Sequence, residues 1–304
     1  MKQTAVLISG SNGYIAQHLI KRLKAKQYQV FTASRGSDSD HYMDFSQANR
    51  IANLDIANID VMIHTVSPKE ELYRTDPYQG LAENATGIHA ALDFCVRNHI
   101  QRFIYFSSFH VFGKSSGIIT EHTPIAPIND YGLAHSVAEQ TVAMYDRQQK
   151  VNTWIIRPSN LYGVPIDCDL FARWYLIPFN FCKQAVEHRS ITLQSSGQQL
   201  RNFVAVQDVC YNIEQIIEQQ PVERIHHAYG RDTLSVLQYA QLVQVIAWEQ
   251  FNLEVDVKYA EGNEQVVTFH FGSEHRYEPQ HTIAVFVEEM LSKLLGRPAM
   301  KGVE

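Results

Sequence analysis

The sequence predicts an α/β protein with a parallel sheet, and two features carry this prediction. Residues 5–8 (AVLI) and 60–65 (DVMIHT) are short apolar runs rich in Val and Ile, which is typical of strands buried on both faces. Residues 78–98 have apolar side chains at helical spacing, and segments of this kind alternate with the apolar runs along most of the chain. This alternation favours a sheet of parallel strands covered by helices.

Residues 4–16 (TAVLISGSNGYIA) form the stretch around which the rest of the chain is organised. The apolar run ends in a turn too rich in glycine to continue a strand, and a helix is predicted over 14–26. Gly10 permits a tight turn, Gly13 lets a backbone approach closely, and Ala16 is small enough for a helix to pack on a strand. The pattern predicts a dinucleotide whose pyrophosphate lies at the helix N-terminus, although an ordinary tight turn can have the same short motif.

Composition limits the classes of function. The chain has 304 residues, of which 45% are hydrophobic and 19% charged, and its net charge is -6, which is ordinary for a globular protein. Lys and Arg do not cluster, so nucleic acid is not expected as a partner. No apolar stretch is long enough to span a bilayer and we see no signal peptide, so no membrane association is expected.

Cysteine and histidine usage favours a reducing compartment and no metal. The cysteines are widely spaced and are predicted to be buried free thiols, which favours the cytoplasm. They are Cys95, Cys168, Cys182 and Cys210. None of the 14 histidines falls in a His-x-x-x-His arrangement, and no two cysteines form a Cys-x-x-Cys pair, so no metal ligands are predicted.

The second predicted strand, Gln29–Ser34, ends where the adenosine ribose of a dinucleotide is usually recognised. Ser34 and Arg35 supply no carboxylate for a ribose 2′-hydroxyl and one guanidinium for a 2′-phosphate, which favours NADP over NAD. A solvated loop arginine is the alternative interpretation of Arg35. Asp44 can accept from an adenine amino group, or it can cap a helix predicted near 46–54.

The remaining elements follow in order, with a weaker pattern in the last quarter of the chain. Strands are predicted at 102–107, 154–158 and 224–229, and helices at 131–147 and 235–249. A further helix follows the segment 199–209 and ends at residue 218. The last predicted elements are strands at 253–259 and 266–271 and a helix at 282–295. His64, on an apolar run, is interpreted as a core histidine. Asn84, inside a helix, must be exposed or bonded to a neighbouring backbone. The aromatic-rich residues 169–182 are predicted to fill core, with a substrate wall as the alternative.

Hydroxyl groups follow the strand predicted at 102–107. Ligands of open α/β sheets bind outside the carboxyl ends of the strands, so the side chains of Ser107 and Ser108 are expected to face a site. Tyr131 and His135 open the next helix four residues apart, which places both on one helix face within reach of a common ligand. These residues are candidate catalytic groups.

Several motifs occur in a fixed order along the chain. They are the glycine turn, Asn84-x-x-Gly87, Ser107-Ser108-x-x-Val111-Phe112-Gly113, Tyr131-Gly132, Arg157-Pro158-Ser159-Asn160-Leu161-Tyr162-Gly163 and Arg201-Asn202-Phe203-Val204-x-Val206-x-Asp208-Val209. The ordered set resembles the extended short-chain dehydrogenase/reductase family, which contains sugar-nucleotide epimerases, dehydratases and ketoreductases. The resemblance covers residues 5–229 and fades in the C-terminal quarter.

The resemblance implies a Rossmann-type doubly wound sheet with a smaller C-terminal substrate domain. The NAD(P)-binding domain is expected at 1–164 and 203–230, and the substrate-binding domain at 165–202 and 231–304. By position, the cofactor-binding residues are expected to be Gly10, Asn12, Gly13, Tyr14, Ile15, Ser34, Arg35, Asp44, Val66, Tyr131 and His135. A homodimer formed through the helices at 78–98 and 131–147 is also implied.

The resemblance further implies roles in catalysis and in substrate binding. Ser108 is expected to hold the substrate oxygen and Tyr131 to act as the general acid/base. Asn160 and Arg201 are expected to bind the substrate's diphosphate. Hydride transfer at a sugar carbon needs a group that takes or gives the hydroxyl proton, and a phenol must be made more acidic to do so. The family has a lysine for this purpose four residues after the tyrosine, whereas this chain has His135.

The sequence therefore predicts an NADP-preferring enzyme that acts on a nucleotide sugar, most simply a 4-ketosugar reductase or an epimerase, with NAD as the alternative cofactor. Dehydration is disfavoured, because Phe109 and His110 stand where the family's dehydratases tend to carry an acidic pair. His135 leaves a second interpretation open. In it, the chain is a catalytically degenerate NADP-binding protein that reports redox state to a partner.

Overall fold

The computed structural model describes residues 3–262, 267–274 and 277–299, and its elements are numbered in chain order. The helices are α1 Tyr14–Ala25, α2 Ala48–Ala52, α3 Glu70–Thr75, α4 Pro77–Arg97, α5 Asp130–Arg147, α6 Ile177–His188, α7 Val206–Gln219, α8 Val236–Phe251 and α9 Ile283–Leu295. The strands are β1 Ala5–Ser9, β2 Gln29–Ser34, β3 His41–Tyr42, β4 Val61–His64, β5 Arg102–Phe106, β6 Gly117–Ile119, β7 Asn152–Pro158, β8 Asn160–Tyr162, β9 Ser190–Thr192, β10 Leu200–Ala205, β11 Ile225–Ala228, β12 Asp232–Ser235, β13 Asp256–Lys258 and β14 Phe269–Phe271. A 3-10 helix spans Phe109–Phe112.

The chain folds into two compact units, each built from three separate stretches of sequence. Unit 1 contains Met1–Lys114, Glu121–Pro158 and Cys210–His227, and unit 2 contains Ser115–Thr120, Ser159–Val209 and Ala228–Glu304. That residues 1–164 and 203–230 bind the cofactor, and that residues 165–202 and 231–304 bind the substrate, stays a prediction.

Unit 1 is built on a seven-stranded sheet with the strand order β11-β7-β5-β4-β1-β2-β3. The pairs β1–β2, β1–β4, β2–β3, β4–β5 and β5–β7 are parallel. Every residue of β1 and β4 is buried, as expected for strands covered on both faces. The prediction of a doubly wound parallel sheet is therefore confirmed. The strand order reverses between β1 and β4, and ligands of such sheets bind in the crevice at the carboxyl ends of these strands.

One hydrophobic cluster holds α4 and α5 against the sheet. It joins Leu7 of β1, Met62 of β4 and Phe103 of β5 to Leu92 of α4 and Val142 of α5, all with at most 2% exposure. Burying apolar side chains from both helices on three adjacent strands fixes the direction of α5. This matters for the site, because the start of α5 carries the candidate catalytic residues.

Three small sheets lie in the part of unit 2 that the structure describes. In the largest, β10 lies between β12, to which it is antiparallel, and β8, to which it is parallel. The other two are the parallel pairs β9–β13 and β6–β14.

The aromatic-rich segment 169–182 belongs to unit 2. Phe171, Phe179 and Phe181 are buried, and the ring centroids of Phe171 and Phe179 are 4.6 Å apart. The prediction that this segment fills core is confirmed for these three side chains. It is wrong for Tyr175, which is 56% exposed in the turn that precedes α6.

The predicted elements are present, with ends that differ by up to about three residues, as is common where helices and strands fray. Residue 266, in the strand predicted at 266–271, lies outside the described residues, and the strand found there is Phe269–Phe271. The helix α6 and the six strands β3, β6, β8, β9, β10 and β12 were not predicted. The helix α3 and the 3-10 helix were also not predicted. Elements of one or two turns are too short to show a complete hydrophobic period.

The four cysteines are free thiols, and three of them are buried. The prediction of burial is wrong for Cys168, which is half-buried. It lies within a surface turn in which the Asp167 carboxylate accepts from the N–H groups of Asp169 and Leu170 at 2.9 and 3.2 Å. Within the described ranges, no helix has the length and apolar character needed to cross a bilayer.

Candidate active site

The turn after β1 leaves no room for a side chain at Gly10. Its φ is +75°, a conformation that disfavours residues with a Cβ, and its N–H donates to the Ala33 carbonyl at 2.8 Å. A Cβ at this position would lie 2.9 Å from Thr65 Oγ1 and 3.0 Å from Val66 Cγ2. The structure thus brings two of the predicted cofactor-binding residues, Gly10 and Val66, together at the crevice.

The N-terminus of α1 offers backbone donors to an anion. Gly13 is the N-cap residue, and in the described part of the chain no side chain caps this helix and its first turn has no acidic residue. The helix dipole and the N–H groups of a first turn favour a negative charge at that place. Tyr14 and Ile15 are half-buried in this turn, and the Tyr14 ring packs edge-on against His18 with centroids 5.2 Å apart. A pyrophosphate suits this geometry.

The segment after β2 contains a carboxylate as well as the predicted arginine. Asp38 Oδ1 accepts from Asn12 Nδ2 at 3.3 Å, which places the carboxylate beside the glycine turn. Ser34 is buried and its hydroxyl accepts from the Gly36 N–H at 2.9 Å, whereas Arg35 is exposed. Arginine favours a ribose 2′-phosphate and a carboxylate favours a 2′-hydroxyl. Asp38 lies four residues beyond the strand, so no spacing rule identifies it in the sequence.

Asp44 is held by its own turn. Its carboxylate accepts from the Ser46 N–H and hydroxyl at 3.2 and 2.8 Å and from Gln47 Nε2 at 2.9 Å, directly before α2. Burial raises the pKa of Asp44, but these hydrogen bonds and the Arg35 charge outweigh burial, so the pKa lies below its usual value. The prediction that Asp44 caps this helix is wrong, because the N-cap residue of α2 is Gln47 and no side chain of the described residues caps it. A contact of Asp44 with adenine stays a prediction.

Tyr131 lies in the first turn of α5 among three other rings. It meets Tyr73, His110 and His135 edge-on, with ring centroids 5.8, 5.5 and 4.6 Å away. Aromatic rings prefer this edge-to-face arrangement. Packing on several sides therefore limits the directions in which the phenol can point.

Ser108 is connected to the start of α5 through the 3-10 helix. Ser108 caps that helix, and its Oγ accepts from the His110 N–H at 3.3 Å. A Cβ at position 132 would lie 2.5 Å from the His110 carbonyl oxygen, so the close approach requires Gly132. Asn129 caps α5 by accepting from the Gly132 N–H at 2.8 Å. The structure therefore packs the Ser108 segment against the turn that carries Tyr131.

A buried ion pair holds the helix face on which Tyr131 and His135 lie. Glu139 follows them at the same spacing of four, so all three share one face of α5. Its carboxylate accepts from Arg157 Nε and Nη2 at 2.8 and 2.6 Å and from Ser107 Oγ at 2.6 Å. Both charged side chains are 2% exposed. This bidentate pair ties α5 to β7.

His135 occupies the position of the expected lysine and is buried. Its Nδ1 lies 2.7 Å from the Tyr105 hydroxyl on β5. Asn84 of α4 donates to the Ala134 carbonyl at 2.9 Å, which confirms that this asparagine is bonded to a neighbouring backbone. Tyr105 was not predicted as a site residue, because no sequence spacing relates a strand residue to a helix residue of a later element.

His64 is a core histidine, as predicted. It is buried, and its Nδ1 lies 2.9 Å from Ser9 Oγ. Burial lowers the pKa of His64 to about 3, so the ring is neutral at physiological pH.

Arg201 in unit 2 is a half-buried cation with which no carboxylate of the described residues forms an ion pair. Its Nη1 donates to the Leu200 carbonyl at 3.3 Å, and burial lowers the pKa of the guanidinium. Asn160 on β8 is opposite Phe203 on β10, two residues beyond Arg201, and its Nδ2 donates to the Asn202 carbonyl at 2.9 Å. A guanidinium that is partly desolvated and has no ion pair with a described carboxylate is suited to bind an anion.

Known proteins are similar to this chain in sequence. The model of the NAD dependent epimerase/dehydratase family matches residues 6–229. The chain is 22% identical over 279 residues to an uncharacterized UDP-glucose epimerase of Bacillus subtilis (strain 168), covering 84% of this chain and 86% of that protein. It is 24% identical over 264 residues to dTDP-D-glucose 4,6-dehydratase of Homo sapiens, covering 79% of this chain and 73% of that protein.

Solved structures share the fold. UDP-glucose 4-epimerase of Thermotoga maritima, solved with UDP-glucose, has a TM-score of 0.79 at 14% identity, over 96% of this chain and 99% of that one. dTDP-glucose 4,6-dehydratase of Streptomyces venezuelae, solved with NAD bound, has a TM-score of 0.79 at 17% identity, over 96% of this chain and 97% of that one.

Proposed function

The chain belongs to the NAD-dependent epimerase/dehydratase family, and on that premise we propose that it acts on a nucleotide sugar by NAD(P)-dependent hydride transfer at a sugar carbon. A 4-ketosugar reductase or an epimerase is the simplest form of this activity. The relatives in Bacillus subtilis and Homo sapiens are named for UDP-glucose and dTDP-D-glucose, which supports the substrate class.

The observation that carries the substrate class is the Arg201 guanidinium. Burial of a cation is costly unless an anion compensates it, and no described carboxylate is paired with this one. A diphosphate offers anionic oxygens that match the paired donors of a guanidinium. Asn160, on the neighbouring strand, adds an amide to the same small sheet. We infer that Arg201 and Asn160 bind the diphosphate of the substrate.

Arg201→Lys is expected to raise the Michaelis constant for a nucleotide sugar about tenfold or more, because an ammonium cannot copy the paired donors. Affinity for the cofactor is expected to stay unchanged. Calorimetric titration with UDP and dTDP, beside steady-state kinetics, measures both effects, and Arg231→Lys, at an exposed arginine of unit 2, is the control. If neither nucleoside diphosphate binds the wild type, or if one binds the variant equally well, the assigned substrate class is wrong.

The residues of unit 1 suit NAD(P). Gly10 lets the turn after β1 pack closely against Thr65 and Val66, and the first turn of α1 offers N–H donors with no acidic residue in that turn. We infer that the dinucleotide is held by Gly10, Asn12, Gly13, Tyr14, Ile15 and Val66, with Ser34, Arg35 and Asp44 at its adenosine end and Tyr131 and His135 at its nicotinamide ribose. When bound, NAD(P) supplies or accepts the hydride.

Arg35→Ala is expected to weaken NADPH binding by about 1.5–3 kcal/mol, the usual contribution of a hydrogen bond to a charged group, and to leave NADH binding nearly unchanged. The reason is that Arg35 is the exposed cation at the end of β2, where a 2′-phosphate would lie. Fluorescence titration of both cofactors measures the effect, with Arg50→Ala on α2 as the control.

Asp38 provides the opposing test of cofactor preference. Its carboxylate beside Asn12 would repel a 2′-phosphate, so Asp38→Asn should improve NADPH binding if Arg35 selects NADP. A wild type that binds NADH and NADPH equally, or NADH more tightly, would refute the preference for NADP.

In the proposed mechanism, the chain's own side chains handle the substrate hydroxyl. Ser108 holds its oxygen, and Tyr131 takes or gives its proton. An ammonium about 5 Å from the phenolate would be worth roughly 3 kcal/mol at an effective dielectric constant near 20, or about two pKa units. A neutral His135 forfeits that assistance but can still donate a hydrogen bond to the nicotinamide ribose. We therefore expect turnover that is slower than a lysine in this position would permit.

His135 also supports the second candidate, a cofactor-binding sensor without turnover. Analysis of what copurifies with the protein, followed by assay with keto-sugar nucleotides, separates the candidates. Tightly held NAD(H) favours an epimerase, and loosely held NADP(H) with turnover favours a reductase. Cofactor binding without turnover on any sugar favours the sensor.

We further propose a homodimer formed through α4 and α5. Leu133 and Val137 on α5 are each 40% exposed and border a groove of ≈ 560 Å³ lined by Pro127 and Met144. A second copy of the chain would cover these apolar side chains, and sedimentation of the purified protein tests for it.

The four free thiols suit a reducing compartment, which supports a cytoplasmic location.

A further inference from the structure

The contacts of His135 determine which of its ring nitrogens carries the proton. Its Nδ1 lies 2.7 Å from the Tyr105 hydroxyl, and both side chains are buried. Two arrangements give a hydrogen bond at this distance. Either the phenol O–H donates to an unprotonated Nδ1, or an Nδ1–H donates to the phenol oxygen, and for a neutral ring these arrangements require opposite tautomers.

The phenol proton of Tyr105 distinguishes the two arrangements. Burial and the Glu139 charge raise the pKa of Tyr105 well above its ordinary value, so the phenol keeps its proton at physiological pH. A buried O–H needs an acceptor. If an Nδ1–H of His135 donated to the phenol oxygen, the acceptor that lies 2.7 Å from this hydroxyl would be lost.

The hydroxyl of Tyr105 is therefore the donor in this contact. Its side chain is buried among the strands and helices of unit 1. The O–H can satisfy a buried acceptor, and Nδ1 of His135 lies at the distance of a strong hydrogen bond.

We propose that Tyr105 donates its hydroxyl proton to Nδ1 of His135 and so fixes His135 as the tautomer that carries its own proton on Nε2. Tyr105 is then a positioning residue. The consequence for the site is that His135 presents an N–H donor at all times, although it has no charge. Use of that donor toward a bound ligand rests on the proposed function, whereas the tautomer itself does not.

The test is a long-range ¹⁵N–¹H correlation spectrum of the full chain labelled with ¹⁵N-histidine, because protonated and unprotonated ring nitrogens have different ¹⁵N shifts. The His135 signals are assigned by their loss in His135→Gln. In the wild type we expect the Nε2–H pattern. In Tyr105→Phe, which keeps the ring and removes the donor, the ratio of the two tautomers should move toward Nδ1–H by about fivefold or more.

Tyr145→Phe is the matched control, because it also removes a phenol hydroxyl beside a histidine. Tyr145 is on α5, and its Oη lies 3.4 Å from Nδ1 of His89 on α4. The substitution should alter the His89 signals and leave those of His135 in place. An Nδ1–H or doubly protonated His135 in the wild type, an unchanged tautomer ratio in Tyr105→Phe, or an equal response to Tyr145→Phe would each overturn the proposal. The spectrum is recorded without substrate, so a wrong tautomer is detected independently of turnover. Absence of turnover would instead overturn the proposed function.

Discussion

Tyr131→Phe is expected to lower turnover of a nucleotide sugar by about 10²–10⁴-fold, the usual contribution of a general acid/base, while affinity for the cofactor stays nearly unchanged. The phenol is the group that takes or gives the substrate proton in the proposed mechanism. Its ring packs edge-on against Tyr73, His110 and His135, and phenylalanine keeps that packing. The measurements are kcat with an identified substrate and a fluorescence titration with NADPH.

Tyr73→Phe is the control for Tyr131. Its ring lies 5.8 Å from that of Tyr131, but its hydroxyl contacts Ser67 Oγ at 3.2 Å, and burial raises the pKa of this phenol to about 12. Removing this hydroxyl should change turnover by less than about tenfold, since no role in proton transfer is lost. If Tyr131→Phe has no larger effect than Tyr73→Phe, another group serves as the acid/base.

Glu139→Ala is expected to lower the free energy of unfolding of the chain by about 3–5 kcal/mol, because it leaves the Arg157 charge buried without compensation. The pair is bidentate, and each side chain is 2% exposed. Loss of the carboxylate also removes the acceptor of Ser107 Oγ. Equilibrium denaturation in urea measures the change, and it should appear in the midpoint with little change in slope.

An exposed ion pair provides the control for Glu139. Lys183 and Glu187 lie four residues apart on α6 at 3.8 Å, with side chains 38% and 48% exposed. Glu187→Ala should cost no more than about 0.5 kcal/mol, because solvent screens such pairs. Replacing Glu139 and Arg157 together by Met and Leu should recover most of the lost stability. A cost below about 1 kcal/mol for Glu139→Ala would show that the pair does not anchor α5.

Features that depend on contiguous sequence could be predicted from it. The glycine turn fixes its own geometry, since Gly10 adopts a positive φ and its neighbours Thr65 and Val66 exclude a Cβ. The spacing of Tyr131 and His135 places both on one helix face because a helix repeats every 3.6 residues. The parallel sheet followed from apolar runs that are buried on both faces.

Contacts between distant elements could not be predicted in the same way. His135 meets Tyr105, and Glu139 meets Arg157, because β5 and β7 lie next to each other beneath α5. Sequence spacing predicts which residues share one face of a helix, but it does not predict which strand that face of the helix will cover. Asp38 is a further example, since a loop with no periodicity carries it to Asn12.

The most direct test of the account is incubation of the purified chain with UDP-linked and dTDP-linked sugars, in their hydroxyl and 4-keto forms, with NADPH or NADH. The sugar nucleotides are then separated and identified by NMR. We predict that the wild type converts at least one of them to a different sugar nucleotide and that Tyr131→Phe, at equal cofactor occupancy, does not. Recovery of every sugar nucleotide unchanged from a wild type that binds the cofactor would contradict the proposed enzyme.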